Sequence, residues 1–228
     1  MKDLVSIIIP ARDEENYITK FSLPSILKQN YGNLETIVVC NGCKDNTATI
    51  VRNYGNKIKD FNIIETDLAG AGLARNIGAR SAKGDIFVFL DADVAMSPNT
   101  IEKIVSTTKK YRNFIGICKG TPNEKKESAI ILTKVKNMLG RPFLISNGLI
   151  FCNRNLYYAI GGFDEKISKH EDSKFITKGL MYAYTHQGKY IYLSKTTVRI
   201  SMRRFEKLGY RKAMLKWLKL GKDYPVVR

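Results

Sequence analysis

Apolar and polar positions in the first half of the chain come in blocks rather than alternating residue by residue. Val5–Ile9 is a continuous, largely β-branched run stopped by Pro10, the pattern of a parallel strand buried on both faces. Glu35–Cys40 and Ile86–Leu90 repeat it, and Phe61–Glu65 predicts a further strand. Between them, the apolar spacing predicts helices over Glu14–Gln29 (perturbed by Pro24), Asn46–Tyr54, Leu73–Ala82 and Thr100–Lys110, with Gly84 in the C-cap region of the third. Strands alternating with helices predict a parallel α/β sheet. The second half is less regular. Strands are predicted over Phe114–Gly120, Gly148–Asn153, Tyr190–Leu193 and Thr197–Ile200, with helices over Asn155–Ile160, Glu171–His186 and Tyr210–Leu220. No repeat, low-complexity tract or Pro/Gly/Ser linker interrupts the chain, so a single domain is expected.

At 228 residues, 44% apolar and 26% charged, the chain has the balance of a folded protein rather than a disordered one. Leu4–Ile9 starts almost at Met1, with no charged and long apolar regions ahead of it, which argues against a cleaved signal peptide. The longest apolar runs fall far short of the roughly 20 residues a spanning helix needs. Cys40, Cys43, Cys118 and Cys152 are too scattered for a disulfide scaffold and point to a reducing compartment. Cys40 and Cys43 have the spacing of a redox pair or half a zinc site, but no second ligand pair accompanies them; two free thiols is the simpler reading.

Charge changes the picture. The net charge is +17, and from Ser194 to Arg228 eleven Lys/Arg face only Glu206 and Asp223, which places +9 there. Such a balance suits an anionic partner: nucleotide phosphate, lipid headgroup or nucleic acid. On a helical wheel from Tyr210, Met214, Trp217 and Leu218 share an apolar arc opposite Lys212, Lys216 and Lys219. That segment either lies on an anionic membrane or packs on the core.

Ligands of open parallel sheets bind outside the carboxyl ends of the strands. Polar clusters fall at three such ends: Pro10–Glu15, Asn41–Asp45 and Asp91–Asp93. In extended chain, Asp91 and Asp93 would project to one side and offer the hard oxygens that Mg²⁺ or Mn²⁺ takes beside substrate phosphates; an acidic turn is the alternative. Gly70-x-Gly72-x-x-Arg75-Asn76 opens a helix too far from its strand, and without a third glycine, for a dinucleotide fingerprint, yet it could cradle phosphate. Glu171 and Asp172 open a helix as caps or as a general base.

Taken in order, Val5–Asn16, Asn41–Thr47, Gly72–Gly78, Gly84–Asp93, Gly161-Gly-Phe-Asp-Glu165 and Glu171-Asp172 resemble the family 2 glycosyltransferases with the GT-A fold. The resemblance covers roughly residues 4–205 and implies a Rossmann-like, mostly parallel sheet flanked by helices. It also implies residue roles. Pro10, Ala11, Arg12 and Glu14 would border the nucleoside, Asn41 and Asp45 would read the base, and Arg75 and Asn76 would face the donor. Asp91 and Ala92 would approach the ribose, while Asp93, with Asp91, would hold Mg²⁺ or Mn²⁺. Arg203 and Arg204, with Arg199, would close over the diphosphate, and Gly148, Gly161 and Gly162 would border the acceptor. Asp172, beside Glu171, would be the base of an inverting transfer from a nucleotide-diphosphate sugar.

Two positions depart from the family pattern. Cys40-Asn41-Gly42-Cys43 stands where Asp-Asp-Gly-Ser is usual, and Val198–Arg204 holds no histidine for the metal. The resemblance divides the chain into residues 1–205, the transferase domain (1–95 for the nucleotide sugar, 96–205 for the acceptor), and 206–228, a basic amphipathic helix or tail. A phosphate acceptor is already ionised and needs no base, so Glu171-Asp172 favour a hydroxyl on a saccharide or glycolipid over a polyprenyl phosphate. The expected location is cytoplasmic, with the tail as the candidate contact to the inner face of a membrane. Nucleic acid is not expected as a partner: no zinc finger, RRM, KH or helix-turn-helix pattern accompanies the charge. Two alternatives remain: a sugar-1-phosphate nucleotidyltransferase, which would carry a Gly-rich basic loop where this chain has Pro10–Glu15, and a sugar-binding module without catalysis, against which Asp93 and Asp172 speak.

Overall fold

The computed structural model describes residues 2–143, 146–167 and 170–209, and of residues 139–143 and 204 the backbone alone. β1 (Val5–Ala11) is buried along almost its whole length and pairs in parallel with β2 (Leu34–Asn41) on one side and β4 (Ile86–Leu90) on the other. β3 (Phe61–Thr66) extends the sheet beyond β2. Past β4 come β7 (Leu149–Asn153), β6 (Phe114–Pro122), β8 (Lys189–Ile200) and β5 (Val94–Met96), giving the order β3-β2-β1-β4-β7-β6-β8-β5. β7 and β5 run antiparallel to their neighbours. One sheet thus takes strands from both halves of the chain.

Alternation along β1 sets the two layers. Val5, Ile7 and Ile9 face a core with Leu23 of α1 (Ser22–Leu27), Val51 of α2 (Thr47–Gly55) and Ile101 of α4 (Thr100–Thr108). Ile8 faces the other core, with Ala74 of α3 (Ala71–Ser81), Leu156 of α6 (Arg154–Ala159) and Phe175 of α7 (Glu171–Thr185). A small third cluster joins Ala129 and Leu132 of α5 (Glu127–Phe143) to Met202, with Phe205 of α8 (Arg203–Leu208) against it.

Several elements differ from the sequence expectation. Residues 14–21 form turns, and only Ser22–Leu27 is helical. Glu14 and Glu15 N–H are tied to Thr47 and Asp45, and Ile18 and Phe21 N–H close separate turns on the Glu14 and Tyr17 carbonyls. Pro24 then falls in the first turn of α1, where its missing N–H costs nothing. α5 was not expected, because Ile130, Ile131, Thr133 and Val135 read as β-branched. β8 is one strand rather than two: its register against β6 jumps from Cys118–Leu193 to Lys119–Thr197 across an irregularity. No helix among the described residues is long and apolar enough to cross a membrane. The helix expected over Tyr210–Leu220 lies outside the described residues.

Gly84 caps no helix, since α3 ends at a cap on Ala82. It presses on β1 instead, donating its N–H to Ser6 Oγ at 2.8 Å, and a Cβ there would lie 2.7 Å from Ser6 N and 2.8 Å from Leu4 O. Gly84→Ala must therefore push backbone from backbone. The expected loss in urea unfolding is about 1–3 kcal/mol, the usual cost of overpacking; an unchanged midpoint would show that the strand start yields freely.

Candidate active site

The order β3-β2-β1-β4 reverses direction at β1, so the ends of β2, β1 and β4 stand side by side and bring the three polar clusters together. The first two are tied to each other. Beyond Pro10 and Ala11 the chain turns at Asp13, whose φ is 54°, and Asp13 Oδ1 accepts the Lys44 N–H at 2.7 Å. Glu14 N–H donates to Thr47 Oγ1 at 2.8 Å, Glu15 N–H to Asp45 Oδ2 at 3.2 Å, and Asn46 N–H to Glu15 Oε2 at 3.0 Å. Asp45 is thereby committed to holding the two loops. Burial alone would raise its carboxyl, but the Thr47 and Glu15 hydrogen bonds outweigh that and keep it below the ordinary value.

Asn41 is buried, and its Nδ2 donates to Gly70 O at 3.2 Å, while Oδ1 has no hydrogen-bond partner among the described residues. Arg12 Nε is likewise buried without a hydrogen bond there, with the Asp13 Oδ2 charge at 4.0 Å. Cys40 and Cys43 are free thiols, and burial pushes Cys40 up to about 12, so it holds no thiolate at neutral pH.

Asp91–Asp93 is a turn, not extended chain: Asp91 N–H donates to Gly148 O at 2.9 Å and Val94 N–H to Asp91 O at 3.1 Å. The expectation that both carboxylates project to one side is corrected accordingly. Asp91 Oδ1 takes Arg75 at 2.8 Å, and Asp93 Oδ2 takes Arg203 Nε at 3.1 Å. Ala92, between them, is buried. Gly148 has φ +79°, and a Cβ there would meet Val94 at 2.5 Å, so it seats the Asp91 turn.

Arg203 also binds Glu14 Oε1, and its guanidinium lies 4.0 Å over the Tyr17 ring. Burial opposes its charge, but Asp93 and Glu14 more than restore it and raise its pKa. Asp93 and Glu14 are the carboxylates that share a cation here, and no group of three or more His, Cys, Asp or Glu among the described residues is arranged to hold a metal. Such a donor set fits Mg²⁺ or Mn²⁺ only if phosphate or water supplies most of the ligands. Arg199 lies apart, 6.0 Å over Phe21. The Arg204 side chain is outside the described residues.

The helix side is built from α3. Arg75, 6% exposed, donates to Glu171 Oε1 at 3.0 Å as well as to Asp91, with its guanidinium 5.1 Å over the Phe163 ring. Asn76 departs from its expected place facing the donor. Its Nδ2 donates to Phe163 O and Glu165 Oε1, and its Oδ1 accepts from Tyr157 Oη and Phe163 N, which uses the whole carboxamide. Gly162, at φ +67°, lies against that same amide, and Gly161 borders open space. Asp172, half-buried in the first turn of α7, accepts the Ser173 N–H at 2.8 Å. Burial raises its carboxyl, Arg75 pulls it down, and Glu171 and Asp91 push it up again; the net shift is upward. Tyr17, Thr47 and Phe163 are site residues the residue-type reading passed over. All three lie within or beside the quoted motifs, but an aromatic ring or a threonine gives no charge signal by itself.

The fold and the sequence find relatives. Crystal structures of Staphylococcus aureus TarS 1-349 in complex with UDP-GlcNAc and of the mannosyltransferase PcManGT from Pyrobaculum calidifontis in complex with GDP-Man and Mn²⁺ superpose with TM-scores of 0.72 and 0.71. Identities are 20% and 21%, with 87% and 99% of this chain covered and 58% and 67% of theirs. The fold is therefore GT-A. In sequence, a Rickettsia typhi protein named as an uncharacterized glycosyltransferase is 41% identical over 110 residues, 48% of this chain and 33% of its own. Poly(ribitol-phosphate) β-N-acetylglucosaminyltransferase TarS is 27% identical over 192 residues, 78% of this chain and 32% of its own. The match thus spans about a third of the length of these curated relatives. The pattern of glycosyl transferase family 2 matches residues 6–163, and the chain belongs to that family.

Proposed function

We propose that this chain transfers a sugar from a nucleotide-diphosphate donor to an acceptor hydroxyl with inversion at the anomeric carbon. The observation that carries the reading is the placement of Asp172: a carboxylate of raised pKa on the N-terminus of α7, joined through Arg75 and Glu171 to Asp91 at the sheet's carboxyl edge. UDP-GlcNAc and GDP-Man in the structural relatives support the donor class.

In this reading the acceptor hydroxyl gives its proton to Asp172 as its oxygen bonds to the anomeric carbon. The bond from that carbon to the diphosphate oxygen breaks, and the nucleoside diphosphate leaves with the electron pair. General-base assistance of this kind contributes about 10²–10⁴-fold. Asn41, with its unpartnered Oδ1, and Arg12 border the nucleoside, and Asp91 lies toward the ribose. Asp93, with Glu14 nearby, would hold Mg²⁺ or Mn²⁺, whose charge offsets that developing on the leaving group. Arg203 would move from these carboxylates to the diphosphate. A saccharide or lipid-linked acceptor fits a base better than a phosphate acceptor does. The proposed place is cytoplasmic, with segment 206–228 as the part that would touch an anionic membrane.

The first test is a screen of nucleotide sugars for nucleoside diphosphate release in Mn²⁺ or Mg²⁺. Asp93→Ala should abolish release and weaken nucleotide binding. Full activity in excess EDTA would exclude the metal role, and no release with any donor across an acceptor panel would count against the transferase reading.

Asp172→Asn separates catalysis from stability. Turnover should fall about 10²-fold or more with donor affinity retained, because only proton-accepting capacity is removed. Since its folded pKa is raised, the native chain takes up a proton at Asp172 on folding, and stability is lost as pH rises through that value. Asp172→Asn should accordingly melt at or above the wild-type temperature at neutral pH, the difference closing in acid below about pH 4. A variant that turns over normally, or melts well below wild type, would make Asp172 a structural cap.

A further inference from the structure

We infer that Arg75 is a positioning residue that fixes the base-bearing helix to the donor-side turn, and not a ligand of the donor. The inference rests on the transferase reading above and deepens it. Arg75 is 6% exposed, and both terminal nitrogens are engaged: one by Asp91 at 2.8 Å, the other by Glu171 at 3.0 Å. Its flat face lies on Phe163, which stacks on Phe175 of α7 with ring centroids 4.0 Å apart. To reach a diphosphate, the guanidinium would have to leave its enclosed place and break its ion pairs with both Asp91 and Glu171.

The neighbours on α3 work to the same end. Gly72, Arg75 and Asn76 lie on one face of the helix at i, i+3 and i+4. A Cβ on Gly72 would meet Asp164 O at 3.2 Å and Phe163 Cβ at 3.4 Å, so that face closes directly on the loop before α7. Asn76 binds Phe163 and Glu165 of that loop, and Arg75 binds Glu171, the residue before Asp172. α3 therefore grips the approach to α7 at two successive points. His170 enters the helix in the left-handed region, φ 61°, with no side-chain cap. Asp91 lies at the other end of the guanidinium, on the turn that Gly148 seats. One rigid fork thus spans the donor side and the base. An arginine suits that geometry where a lysine, with one point charge, does not.

The experiment has two arms. In the first, nucleoside diphosphate release from UDP-GlcNAc and GDP-mannose with Mn²⁺ is measured beside calorimetric binding of UDP and GDP. Arg75→Lys should lower kcat about 10–100-fold, as expected for a misaimed group, with nucleotide Kd within about 3-fold of wild type. Added guanidinium should restore part of the activity of Arg75→Gly. A Kd that rises as kcat/KM falls while kcat holds would make Arg75 a donor ligand and overturn the inference. In the second arm, Asp91→Asn, Glu171→Gln and the double variant are melted with Arg75 intact. Strongly non-additive shifts are expected, because the two carboxylates act through one guanidinium; additive shifts would sink the inference. The second arm needs no substrate, so additive shifts overturn the inference even if no donor is turned over.

Discussion

A carboxylate taken out of water at the end of a buried sheet must find a cation or give up its charge, since desolvation costs several kcal/mol per ion even after relaxation, roughly. Here Asp91, Asp93, Glu14, Glu171 and Asp172 crowd the carboxyl edge, and Arg75 and Arg203 answer them. The two arginines divide the crevice. Arg75, from α3, binds the wall that carries Asp172; Arg203, from the start of α8, binds the wall made by the β1 loop and Asp93. Without them the sheet edge would spread apart or titrate. Asp172 is the member of the group that neither arginine bonds directly, and burial raises its carboxyl despite the nearby Arg75 charge.

The part of the fold legible in the sequence is the part in which local pattern and tertiary context agree. Val5–Ile9, Glu35–Cys40 and Ile86–Leu90 read as buried parallel strands because both faces are covered by helices, so apolar residues run without interruption. Where the partner lies far away in sequence, the pattern misleads. Residues 14–21 have helical spacing yet form separate turns, entered where Glu14 and Glu15 N–H meet Thr47 and Asp45, more than 25 positions on. Ile130, Ile131 and Val135 carry β propensity yet sit in α5, where Ala129 and Leu132 meet Met202.

The site shows the same division. Its residue types and strand-end positions were visible, because chemistry at a parallel sheet has few places to go. Its pairings were not. Asp91 and Asp93 look like one clamp until the turn between them sends each to a different arginine. Asn76 looks like a ligand beside Arg75, but spacing alone cannot reveal that Tyr157, Phe163 and Glu165, some 80 residues later, consume every hydrogen bond it can make.

The two arginines differ in what they can afterwards do. Arg75 is enclosed on all sides by α3, Phe163 and two carboxylates, so its fork is a fixed part of the frame. Arg203 keeps 17% of its side chain exposed, sits on a helix of only six residues, and rests on one open aromatic face. An anionic ligand entering beside Asp93 and Glu14 would meet net repulsion unless positive charge moved with it. Arg203 is the positive charge already in contact with both. The frame therefore combines one enclosed cation on the wall that carries Asp172 with one more exposed cation beside Asp93 and Glu14. That asymmetry follows from where each arginine enters the sheet, since α3 is packed beneath β1 and β2 while α8 lies beyond the end of β8.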